Sequence, residues 1–115
     1  MPIRRLEKSE WNGYFNFLSK VALLGKRAAV EIASLNLGAR VEADWVLLFG
    51  VAYDEKDDVL ETTLDGLEHL IRQPVEIRVD EGEFVVSSFG VRAHGGHHHI
   101  VRLRDPLMLP PPIRH

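Results

Sequence analysis

The chain has no cysteine among its 115 residues, which excludes disulfide cross-links, thiolate zinc sites and cysteine nucleophiles. It also lacks a long apolar run. The longest, Trp45 to Tyr53, has nine residues, about half of what a membrane span requires. The opening MPIRRLEKSE is charged and has no apolar core of the kind a secretory signal carries. There is no Gly-x-Ser-x-Gly, no phosphate loop, no dinucleotide fingerprint and no metalloprotease helix motif. The five serines and His69 show no triad spacing, so His69 reads as a surface or half-buried structural residue. These absences point to a cytoplasmic protein without a membrane anchor, and to no particular enzyme activity.

The composition, 45% hydrophobic and 27% charged, is that of an ordinary soluble domain. At this length one core forms without staples. The expected organisation is therefore a single domain over residues 1–105 with an extended, proline-rich tail over 106–115. The net charge of −3 is unevenly spread. Met1 to Val41 carries +4, Glu42 to Glu83 carries −10, and the remainder carries +3. So acidic a middle disfavours a nucleic-acid binder, which needs a basic face.

The element signals are mostly β. Ser9 can cap a helix beginning at Glu10, in which Trp11, Tyr14, Phe15, Leu18, Val21 and Ala22 recur on one face, with Phe17 at its margin. Gly25 is a natural stop. A strand then runs from Lys26 to Leu35 and ends in the turn residues Asn36 to Gly38. In the next strand Val41, Ala43, Trp45, Leu47, Phe49, Val51 and Tyr53 are apolar at every second position, and Gly50 marks a bend or bulge. After the acidic loop Asp54–Asp58, Val59 to Leu64 reads as a strand and Leu67 to Arg72 as a short helical turn. Val75, Ile77 and Val79 alternate with charged residues, a turn follows at Asp80 to Glu83, and Phe84 to Ala93 returns. The order predicts an α+β fold. Its N-terminal helix packs on the apolar face of a twisted, mostly antiparallel sheet of about five or six strands, open or curled into a part-closed barrel.

Four of the six histidines lie between His94 and His99, around Gly95-Gly96. A two-residue Gly-Gly loop favours a type I′ hairpin, which sets His94 opposite His97 and Arg92 opposite His99. His94, His97 and His99 then share one sheet face while His98 points away, and Val91 with Ile100 lies on the core face. Three imidazoles in that arrangement are the candidate metal ligands, for zinc or nickel. Against a dedicated site stand the missing carboxylate partner, the charge of Arg92 beside His99, and the exposure of a turn tip. Adventitious chelation is the expectation, with no resident cofactor.

The opening MPIRRLEKSEW, the middle DDVLETTLDGLEHLIRQPVEIRVDE and the closing IVRLRDPLMLP together resemble a family of small uncharacterised bacterial proteins carrying a domain of unknown function. The likeness spans nearly the whole chain, with HLIRQP and RDPLMLP its most specific parts. It implies a single-domain bacterial protein and supplies no activity, cofactor or catalytic residue.

Three functional readings follow. The first is a non-enzymatic interaction module that self-associates, with a dimer as the simplest form. Its candidate surface is Arg102, Arg104, Leu107, Leu109, Pro110 and Pro111, the two arginines facing the acidic Asp54–Asp58 loop of a neighbour. The alternative is a metal-binding protein or metal-dependent enzyme using His94, His97 and His99. A nucleic-acid-binding small barrel ranks last.

Overall fold

A computed structural model describes residues 3–21, 25–34, 38–81 and 86–104. Among these, eight strands form one antiparallel sheet. They are β1 (Ile3–Leu6), β2 (Arg27–Ser34), β3 (Gly38–Asp54), β4 (Val59–Leu64), β5 (Leu67–Arg72), β6 (Pro74–Glu81), β7 (Val86–Ala93) and β8 (His98–Arg104). Their order across the sheet is β1-β6-β7-β8-β2-β3-β4-β5. The helix α1 (Trp11–Val21) follows β1 through a 3₁₀ turn at Lys8–Glu10.

The structure is α+β in outline, and two details differ from the sequence expectation. Among the described residues the sheet has eight strands rather than five or six. It does not close into a barrel, since β1 and β5 end it at opposite sides. One added strand, β1, is short and half arginine. The other, β5, replaces the expected helical turn. Leu67, Leu70 and Ile71 have helical spacing, but the two-residue Asp65-Gly66 connection closes Leu64 against Leu67 as a hairpin. His69 and Ile71 then turn inward at a period of two.

The second difference concerns the helix. Trp11, Phe15 and Leu18 are buried in the core, with the Phe15 ring 5.3 Å from that of Phe89. Phe17 stays exposed. The polar side of α1 lies along the backbone edge of β3 that β4 does not use. Ser19 Oγ donates to the Val51 carbonyl at 2.7 Å and accepts the Val51 N–H at 2.9 Å. Asn12 Nδ2 donates to the Tyr53 carbonyl at 3.1 Å. The helix therefore covers an edge as well as a face, satisfying groups that would otherwise invite another strand. It is entered through the 3₁₀ turn, where the Glu10 carboxylate accepts the Glu7 N–H at 2.8 Å, so Glu7 and Glu10 take the role assigned to Ser9.

β3 does not keep one alternation along its length. Its first half pairs with β2 and its second with β4. Within the half paired to β2, Trp45 adopts φ 59°, costly for a bulky residue, and at the start of the half paired to β4 the register slips between Leu48 and Gly50, at the bend Gly50 suggested. Inward positions move from Ala43 to Leu48, then to Val51 and Tyr53, leaving Val41 and Phe49 exposed. The Arg104 guanidinium lies 3.9 Å from the Trp45 ring centroid, and Arg27 Nη1 donates to the Trp45 carbonyl at 3.2 Å. On β6 a similar slip after Pro74 turns Val75 outward.

Candidate functional site

The buried polar residues among those described are Thr62, His69 and His99. His99 reaches the interior because the β7–β8 hairpin is one residue out of the expected register. Val91 pairs with His99, Arg92 with His98 and Phe89 with Val101. Ala93 N–H bonds to the His97 carbonyl at 2.9 Å, so the loop is the three residues His94, Gly95 and Gly96. Both glycines have positive φ, 98° and 90°, which a three-residue loop accommodates as readily as a two-residue one. A one-residue slip exchanges the faces of a strand. His99 therefore turns inward with Val91 and Val101, and Ile100 takes the outer side with His98. His94, His97 and His98 are exposed.

His69 comes to meet His99 from β5. Its Nε2 lies 2.9 Å from His99 Nδ1, so one neutral ring donates and the other accepts. The rings are 5.1 Å apart between centroids, and the residues are 6% and 7% exposed. Burial pushes the His69 imidazole below its ordinary range, opposed by the charge of Glu42. Burial, helped by the neighbouring His69 and His97, pushes His99 down to about 4. Both rings therefore rest neutral near pH 7. Thr62 stands opposite His69 on β4, and its Oγ1 is buried with no hydrogen-bond partner among the described residues.

His99 is buried while the other two proposed metal ligands, His94 and His97, are exposed, and among the described residues no group of three or more His, Asp or Glu side chains is placed to hold a metal ion. Arg102 meets Glu31 within the chain at 3.5 Å, and Arg104 stacks on Trp45. The acidic loop is occupied as well. The Asp54 carboxylate accepts the N–H groups of Lys56 and Asp57 at 3.0 and 3.2 Å, and the Tyr53 hydroxyl donates to Asp58 at 2.6 Å. Leu107, Leu109, Pro110 and Pro111 lie outside the described residues, as do Ala22, Asn36, Leu37, Glu83 and Phe84.

No sequence signal joined His69 to His99. They are thirty positions apart and meet only because the sheet curls until β5 faces β8. Thr62 likewise became visible only through the β4–β5 register.

The described part of the sheet has an open edge along β5. Gln73 N–H bonds to the Asp58 carbonyl at 2.8 Å, and Asp65 N–H bonds to the Leu47 carbonyl at 2.9 Å. These two bonds fix which backbone groups face which neighbour. Leu67, His69 and Ile71 point their N–H and C=O groups at β4. Glu68, Leu70 and Arg72 point theirs to the open side, since the direction alternates along a strand. The same three residues have exposed side chains.

No helix among the described residues is long and apolar enough to cross a membrane. No solved structure matches the chain. An uncharacterized protein of Aquifex aeolicus (strain VF5) is 32% identical over 111 residues, covering 96% of this chain and 99% of that protein. The model of a family of unknown function, DUF5335, matches residues 2–112. The expected membership of a family of uncharacterised proteins is thereby met: the chain belongs to the DUF5335 family of unknown function.

Proposed function

We propose that the protein is a non-enzymatic interaction module that associates with itself. The observation that carries this reading is the open sheet ending on β5. Among the described residues no strand bonds to its outer side, yet it presents Leu67 and Leu70 at 37% and 36% exposure. Sheet edges of this kind add a strand from another chain. The buried chemistry supports the same reading. The two histidines are bonded to each other and shielded from solvent, an arrangement suited to holding strands together and closed to a substrate.

Sedimentation velocity across a concentration series tests the proposal. The expected result is a monomer that converts to a dimer as concentration rises. A monomer at every concentration contradicts it.

A further inference from the structure

We infer that the partner of β5 is β5 of a second copy, in a two-fold antiparallel pairing centred on Leu70; this rests on the self-association proposed above. Isologous pairing requires that a surface complement itself. With Leu70 opposite Leu70 of the partner subunit, Glu68 falls opposite Arg72 of the partner subunit, and the reverse pair follows by symmetry. Glu68, Leu70 and Arg72 are the residues whose backbone groups face the open side. This register therefore matches every outward-facing N–H and C=O of that row with its counterpart. A shift of two residues in either direction leaves an end residue unmatched and separates the opposite charges.

The charges favour this edge over the others. Neither Glu68 nor Arg72 forms an ion pair with a described residue, so both are available to a second copy. On the first half of β3, Arg40 and Glu42 already bond to each other at 2.9 Å. On β1, pairing with a second copy would bring Arg4 and Arg5 against the same residues, and like charges across strands repel. Arg4 is also held by Glu81 and Glu10, at 3.2 and 3.3 Å. Leu70 against Leu70 supplies an apolar contact at the two-fold axis, and the joined strands carry the sheet from one protomer into the next.

The test uses two single variants of the full chain, Glu68→Arg and Arg72→Glu, at exposed positions where substitution leaves the fold intact. Each turns two attractive pairs into two repulsive ones, so each alone weakens self-association by roughly tenfold or more. Mixed together, the variants complement each other, and native mass spectrometry shows a heterodimer at near wild-type affinity. Circular dichroism of each variant checks that it is folded. Three results overturn the pairing: wild-type dimer affinity in either single variant, a folded pair that fails to recombine, or a wild-type protein that stays monomeric. The last also removes the self-association reading, whereas the first two leave it standing with another surface.

Discussion

His69 Nε2 and His99 Nδ1 are 2.9 Å apart in the interior of the sheet, joining the last strand in the sheet order to a strand near its middle. The contact forms only when both rings are neutral or share a single proton. Protonating both places two like charges side by side in a poorly solvated site.

Acid should therefore loosen the fold. His99 titrates at about 4 in the folded chain against 6.5 as its ordinary value, and His69 moves in the same direction. The unfolded chain binds the proton more tightly, so stability from this pair is full above about pH 6.5 and is lost as the pH falls toward 4. The loss is on the order of 2–3 kcal/mol. Urea midpoints measured along that range should fall with pH. The double substitution His69→Leu with His99→Leu should flatten the dependence while costing little at neutral pH, because both polar partners leave together. An unchanged slope would contradict the buried pair.

Thr62 gives a prediction of opposite sign. Its Oγ1 is buried without a hydrogen-bond partner among the described residues, so Thr62→Val, which keeps the shape, should stabilise the protein by about 1 kcal/mol. A lower thermal midpoint would show that the hydroxyl has a partner.

Ser19→Ala tests the covered edge of β3. It removes the hydroxyl that bonds both the N–H and the C=O of Val51, at an expected cost of about 1–3 kcal/mol. A change within about 0.5 kcal/mol, typical of exposed positions, would mean that water replaces the hydroxyl without loss.

The exposed histidines should behave as a loose chelator. His94, His97 and His98 retain the untagged protein on immobilised nickel, and added zinc is shed on buffer exchange. One zinc per chain retained after exchange, and lost in His97→Ala, would instead favour a metal-binding function.

Much of the fold was legible in the sequence wherever a strand keeps one alternation. Val59–Leu64 was read at its observed limits, and β2 and β7 within about two residues. Legibility failed where a single residue decides the outcome. Adding His94 to the Gly95-Gly96 loop turns a two-residue connection into a three-residue one, and that carried His99 from the outer face to the core. The spacing of Leu67, Leu70 and Ile71 fits a helical turn and a half-buried strand equally well. Only the pairing of Leu64 with Leu67 decides between them. The surroundings of His99 depended on both, so its contact with His69 was not legible in the sequence.

The most direct test of the central claim is residue-resolved amide hydrogen exchange in dilute and concentrated protein. Association through β5 predicts that the amides of Glu68, Leu70 and Arg72 become protected with rising concentration, while the remaining exposed amides of β1 and β3 do not. Rates at those three positions that are independent of concentration in a protein shown to dimerise would place the interface elsewhere. The same rates in a protein that stays monomeric would contradict self-association itself.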